Sequence, residues 1–447
     1  MSSLAQVPRS TLVAWLLIAL VLAGGVYLRL AFREPKGRTP DEGFYTAYAI
    51  DASRGGPAAV RVVTRLFNES PKMRKYPRPT RVGFYLPSAL LMRLTGERTV
   101  RTTSLVSTAA SLLALALCLG LAARSFGAWP ALVALLFLAA SPLDLTMARR
   151  AWVDALLGVL TLGMVVAYGR LVASETDGLC PAGSITGGDG NPHGVPLSEA
   201  RPDRPGALLA FLLLGAWGLL VKESGVIALG SGCLGLALHS YRATGRLAAT
   251  LRPLVGGVLA VLAVAALLAW LCGGVDALLR VYRPLPGAPA SEYLAGYDSG
   301  GPGYYVAGML ILQPVPLVLG VLGALLVALR VGLVVDFPGS DDGRSLLPAL
   351  AWLVLVYGAV VMTQDPKNLR QLSPILVPLY LLAAVLACAV LAEARRRLPA
   401  VAGWAVTAVA GGGLAVAAFL DLDRFIGYFV VGGVPDLATP WLLQVSR

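Results

Sequence analysis

Long apolar runs recur along this chain, separated by shorter polar stretches. A helix needs about 20 apolar residues to cross a bilayer. Runs of about that length predict helices over 11–31, 102–123, 129–147, 153–173, 207–221, 224–241, 253–273, 305–330, 346–363, 371–392 and 400–420. The run 83–95 (GFYLPSALLMRLT) is too short to cross and predicts an interfacial or re-entrant helix. The pattern therefore predicts an all-α polytopic membrane protein with about 11 transmembrane helices. Residues 1–420 read as one transmembrane domain. Within it, 32–101 is a polar first outer loop with short interfacial helices. Residues 174–206, rich in Gly, Pro and Asp, predict a flexible cytoplasmic linker, and 274–304 a second outer loop. A short C-terminal tail, 421–447, follows. No internal repeat stands out, so an inverted-repeat transporter gains no support.

Composition narrows the class. Hydrophobic residues make up 57% of the 447 and charged residues only 14%, against about 25% charged in an ordinary soluble domain. So few charges could not cover a soluble surface, and so apolar a chain is not disordered. The mean hydropathy of +0.72 agrees. The five cysteines are scattered, with neither a disulfide framework nor zinc spacing. With two histidines, outside any cluster, a His-based metal centre or a Ser-His-Asp triad is not supported, so acid–base chemistry falls to carboxylates. The N-terminal run lacks a clear cleavage site and reads as a signal-anchor helix in the plasma (inner) membrane.

The net charge is +12. In a membrane protein this points to positive-inside loops and anionic lipid, with no nucleic acid required. With a cytoplasmic N-terminus, most short basic loops fall on the cytoplasmic side, including Arg395, Arg396 and Arg397. The first loop breaks the rule: residues 32–82 hold eleven basic and five acidic residues, half of the net charge. Parity places Asp41-Glu42, Arg149-Arg150, Asp154, Lys222-Glu223, Tyr304-Tyr305 and Arg370 on this same outer face. Charges at membrane depth are costly and mark functional or paired groups.

Several of these residues admit two readings. In Thr39-Pro-Asp-Glu-Gly-Phe-Tyr45 the acids either cap a surface helix or supply a general base toward a hydroxyl. Asp154 either caps the apolar helix it opens or faces Asp41 as a second carboxylate, with Arg149 or Arg150 to neutralise the pair or hold a phosphate. Lys222-Glu223 is either a solvated hairpin tip or a point charge for phosphate. Arg370 opens a helix, where a cation is unfavourable, which favours a ligand contact or ion pair. Arg78 and Arg81 precede the 83–95 segment and suit lipid headgroups, a specific lipid phosphate included.

In order and spacing, these segments resemble the GT-C superfold of membrane glycosyltransferases, nearest the protein O-mannosyltransferase and aminoarabinose-transferase group. The elements are PDEGFY after the first span, GFYLPSALLMRLTGERTVRTTS, SPLDLTMARRAWVDALL, GLLVKESG and LRQLSPILVPLYLLAA. The resemblance implies transfer of a sugar from a polyprenyl-phosphate donor to a lipid, glycan or protein acceptor at the outer face, with inversion at the anomeric carbon. It implies Asp41 as catalytic base and Asp154 as the second acidic residue. Lys222, Arg370, Arg81, Arg78 and Arg149 are then the candidates for the donor phosphate. Glu42, Tyr45, Glu223, Tyr304 and Tyr305 are the candidates for the substrate. No cofactor is demanded; Asp41 and Asp154 could hold Mg²⁺ or Mn²⁺, whose oxygen preference they match. A multi-pass lipid or solute transporter or flippase is the alternative, but it would place charge near mid-membrane, and most span centres here carry none.

Overall fold

The computed structural model describes residues 9–33, 37, 39–70, 72–176, 204–283, 300–329, 341–365 and 367–445. The expected linker at 174–206 lies almost wholly outside these residues, as does most of 274–304. Among the described residues every regular element is helical.

The helices are α1 (Arg9–Ala31), α2 (Pro40–Gly55), α3 (Pro57–Glu69), α4 (Val82–Thr95), α5 (Val100–Phe126), α6 (Ala128–Ala140) and α7 (Pro142–Arg149). Then follow α8 (Asp154–Thr176), α9 (Arg204–Val221), α10 (Gly225–Thr244), α11 (Leu247–Cys272) and α12 (Val275–Tyr282). The last are α13 (Gly303–Leu312), α14 (Pro314–Ala328), α15 (Asp341–Trp352), α16 (Gly358–Met362), α17 (Ser373–Arg397), α18 (Ala400–Arg424) and α19 (Thr439–Val445).

Every predicted apolar run is helical where it is described, while the number of full spans differs from the expected count of about eleven: among the described residues six helices are long and apolar enough to cross a bilayer, or seven if α6 and α7 count as one span bent by 55°. Local chemistry explains the breaks. Ser141 caps α7 by accepting from the Asp144 amide, and Pro142 cannot continue the α6 ladder. Pro314 and Pro316 likewise end α13 at Gln313, so the 305–330 run becomes two short helices. A π-helical turn, Leu353–Tyr357, interrupts the 346–363 run. The last apolar run extends past 420 to Val431.

Burial separates centre from rim. In the span containing α17, 72% of the apolar window is buried, against 17% in α1 and in the last span. The rim helices expose Leu16, Leu20, Val409 and Phe419, an apolar surface that only lipid would cover. Near the C-terminal end of α1, Arg29 is buried and ties α1 to three other helices. Its guanidinium bonds Asp144 at 2.5 Å, Ser111 at 2.6 Å and the Leu138 carbonyl at 3.0 Å. This anchors α7, whose last residue is Arg149.

The segment between α1 and α5 is ordered by aromatic packing. Tyr48 and Tyr85 stack edge to face, and their hydroxyls donate to the Pro77 and Pro79 carbonyls. α4 is more than an interfacial helix: Phe84, Tyr85 and Met92 are buried, and it packs on α2, α5 and α9.

Candidate functional site

The acid pair of α2 divides its labour. Glu42 is completely buried. Its carboxylate accepts from the Thr39 amide at 3.0 Å, from Arg150 at 2.6 and 3.0 Å, and from the Ala151 amide at 3.3 Å. It caps its own helix and binds the α7–α8 junction to it, so the structure places Glu42, expected at the substrate, in a buried structural pair. Asp41, one position earlier on the helix, points elsewhere. Its side chain is 33% exposed and meets Arg370 at 3.3 Å.

Asp154 opens α8, where a carboxylate suits the helix dipole. It is almost fully buried and pairs with Lys222 at 2.6 Å. Lys222 sits on the tight turn between α9 and α10. That turn closes because the Lys222 amide donates to Gly218 and the Gly225 amide to Lys222. A Cβ on Gly225 would lie 2.6 Å from the Gly218 carbonyl. Gly225→Ala is therefore expected to open the turn and cost about 1–3 kcal/mol, read as a lower unfolding midpoint in detergent.

On the same turn, Glu223 accepts from Arg81 at 2.9 Å and forms an ion pair with Arg78 at 3.2 Å. Arg81 also donates to the Tyr45 hydroxyl. Burial would raise the Glu223 pKa, but Arg81 and Arg78 outweigh it and hold the group down to about 2. Its contribution to stability is complete above the usual carboxylate value of 4.5 and is lost only as pH falls toward 2. Burial lifts the Tyr45 hydroxyl well above the ordinary phenol range. The charges of both Asp41 and Asp154 also raise it, while Arg81 opposes them.

Arg370 is a fourth cation, beside Arg78, Arg81 and Lys222. Its guanidinium lies 4.5 Å from the Trp152 ring centre, and Arg150 lies 4.7 Å from the same ring. It also meets Asp436 at 3.4 Å and the Asn368 side-chain oxygen at 3.2 Å. Asp436 belongs to the segment expected to be a simple tail. That segment docks onto the site: the Leu369 amide donates to Leu437, and the Thr439 amide donates to the Tyr304 hydroxyl.

Asp41, Tyr45, Arg78, Arg81, Asp154, Lys222, Glu223 and Arg370 thus line one region at one end of the bundle. The remaining expected residues serve its frame. Arg149 donates to the Phe429 carbonyl and lies over the Phe425 ring. Tyr304 holds the C-terminal segment, and the Tyr305 hydroxyl donates to Gln371. Trp152, Asn368 and Asp436 escaped the sequence reading, whereas Arg150 was read there as a cation that could neutralise a carboxylate and is found paired with Glu42. Trp152 carried a signal: it is an aromatic between two charges at a helix junction. Asp436 had only the turn residues around it, Gly432-Gly433 and Pro435.

The charges are arranged in two ends. At one, Arg78, Arg81 and Lys222 face Glu223 and Asp154, leaving an excess of positive charge. At the other, Arg370 faces Asp41 and Asp436, leaving an excess of negative charge. Such a polarised cluster of charges can hold an anion at one end and accept a proton at the other. A divalent cation fits poorly. Asp154 and Asp41 already carry cationic partners, and no group of three or more His, Cys, Asp or Glu side chains converges among the described residues.

No protein-family model matches the chain, and no curated protein matches it in sequence. Solved structures do match. ArnT from Cupriavidus metallidurans in the apo state is similar over 98% of this chain and 75% of its own, at 16% identity and a TM-score of 0.52. The Archaeoglobus fulgidus oligosaccharyltransferase in the apo form is similar over 92% of this chain and 56% of its own, at 11% identity and a TM-score of 0.52. The same archaeal enzyme, AglB, in complex with an inhibitory peptide and a dolichol-phosphate gives 12% identity over 92% of this chain and the same TM-score of 0.52. The chain thus spans three quarters of the length of the first and little more than half that of the archaeal enzyme. At these identities the likeness is one of fold: the helices of this chain are arranged as in these two membrane transferases.

Proposed function

We propose that this chain is a membrane glycosyltransferase. It moves a sugar from a polyprenyl-phosphate carrier to a hydroxyl or amine of a lipid, glycan or protein acceptor at the outer face of the plasma (inner) membrane. One observation carries the reading: Asp41 is a partly exposed carboxylate at the negative end of a charge cluster whose other end is cationic. The GT-C fold supports it, and AglB has been solved with a dolichol-phosphate.

The steps follow from the charges. The donor phosphate takes the cationic end, where Arg78 is the most accessible of the three cations at 41% side-chain exposure. Arg81 and Lys222 are held in place by Glu223 and Asp154, so little reorganisation is needed when the anion arrives. Asp41 takes the proton of the acceptor group. The acceptor oxygen or nitrogen then forms its bond to the anomeric carbon as the bond from that carbon to the phosphate oxygen breaks. The electron pair leaves with polyprenyl phosphate, and the configuration inverts. A positioned donor in a dry site is worth about 3 kcal/mol to such a leaving group. Asp154 acts through Lys222 rather than on the substrate, since it is buried beneath that ion pair.

No step here needs a divalent cation, so chelation with EDTA is expected to leave the transfer rate unchanged. A loss restored by Mg²⁺ or Mn²⁺ would show that Asp41 serves a metal and not the acceptor. The donor class is tested by native mass spectrometry of the full chain purified in mild detergent. A polyprenyl-phosphate adduct is expected on the wild-type chain and weakened in Arg78→Gln. Equal retention by that variant would remove the phosphate from this end of the cluster.

A further inference from the structure

A basic cavity lies on the outer side of α3 and α12. It has a volume of about 460 Å³ and is lined by residues of α3, α12 and the end of α11. The sequence explains how it forms. Gly273 and Gly274 both take positive φ, 94° and 133°, which ends α11 and turns the chain sideways into α12. α3 and α12 are short and amphipathic, and both lie against the end of α11. Val60, Val63 and Leu278 are buried there beside Leu268 and Leu271. Their outer faces expose Val62, Leu66, Val275 and Leu279. Trp270, 59% exposed on the last turn of α11, marks the depth at which aromatic side chains meet headgroups.

Three arginines line the cavity: Arg61, Arg65 and Arg280. Two carboxylates, Glu69 and Asp276, line it too, yet none of the three arginines is ion-paired among the described residues. Arg61 lies only over the Trp270 ring, 5.8 Å from its centre. The lining therefore carries an excess of one positive charge. Asn68 supplies an independent sign. Its side-chain nitrogen donates to the Ala277 carbonyl at 2.9 Å, while its side-chain oxygen is buried and has no donor. A buried acceptor without a partner is costly, so a donor from outside the chain completes it.

We infer that this cavity seats the headgroup of an anionic glycerophospholipid bearing hydroxyls, of the phosphatidylglycerol type. The phosphodiester meets the arginines, whose forked guanidiniums suit phosphate oxygens. A headgroup hydroxyl donates to the Asn68 oxygen, and the acyl chains run along the exposed apolar faces of α3 and α12. The single negative charge of the lipid matches the excess on the lining. The lining shares no residue with the transfer site, although Tyr282 at the end of α12 lies over Arg78, and the inference does not depend on the reaction proposed there.

The test is a lipid titration of the delipidated full chain in detergent, followed by native mass spectrometry and by unfolding midpoint. Phosphatidylglycerol is expected to bind and stabilise. Arg65→Gln and Arg280→Gln should each weaken that binding about five-fold, the effect of one basic residue near an anionic headgroup. Phosphatidylcholine, whose headgroup lacks a hydrogen-bond donor, should bind markedly less well. Equal binding of phosphatidylcholine would overturn the assignment, as would unchanged binding by both arginine variants. Equal stabilisation by inorganic phosphate alone would make this a free-phosphate site and overturn the lipid reading.

Discussion

Asp41→Asn is expected to lower the rate of sugar transfer about 10²–10⁴-fold while leaving the protein folded, the range a positioned general base supplies. The substitution is nearly isosteric and keeps an acceptor oxygen for Arg370. Asp41 is partly exposed and adds one contact to a guanidinium that Asp436 and Asn368 also hold. Its loss should therefore leave Arg370 in place and the unfolding midpoint within error. The amide cannot take the acceptor proton at neutral pH, so kcat should fall and donor binding should persist. Asp436→Asn gives the contrast. It loosens Arg370 without touching the acceptor, so its effect should be smaller than that of Asp41→Asn. A rate equal to wild type in Asp41→Asn would remove the base from this account.

The second large effect is on stability. Arg150→Met is expected to destabilise the chain by about 3–5 kcal/mol, the cost of leaving a buried charge without its partner. Glu42 has no route to water, and Arg150 supplies the shortest of its bonds, at 2.6 Å. Against a typical stability of about 5–15 kcal/mol, such a loss is a large fraction of the total and should lower the unfolding midpoint clearly. The double variant Glu42→Gln/Arg150→Met removes both charges, so it should recover part of the loss. Unfolding midpoints in detergent for the two single variants and the double measure this coupling. Additive losses would mean that the pair does not bind α2 to the α7–α8 junction.

These two residues show how far the sequence could be read. The apolar runs fixed the helical class because membrane length and hydropathy are local properties. Asp41 was legible too, as an acid just beyond the first span on the face with anomalous basic charge. The split between Asp41 and Glu42 was not. Neighbours on a helix point in different directions, and which one meets Arg150 is decided by a partner over a hundred residues away. The same holds for the tail. Asp436 joins Arg370 only because Leu437 and Thr439 hydrogen-bond across the bundle to Leu369 and Tyr304. The helix breaks lay between these extremes. Pro142, Pro314 and Pro316 were visible inside apolar runs, but hydropathy alone joined what their missing amides divide.

The central claim is that this site transfers a sugar from a polyprenyl phosphate. The most direct measurement reconstitutes the full chain in liposomes with a panel of labelled polyprenyl-phosphate sugars and membrane extract as acceptor. The account predicts that one donor yields labelled acceptor and one free polyprenyl phosphate per sugar moved, and that Asp41→Asn yields neither. Transfer by Asp41→Asn at the wild-type rate, or no release of polyprenyl phosphate from any donor by the wild-type chain, would contradict it.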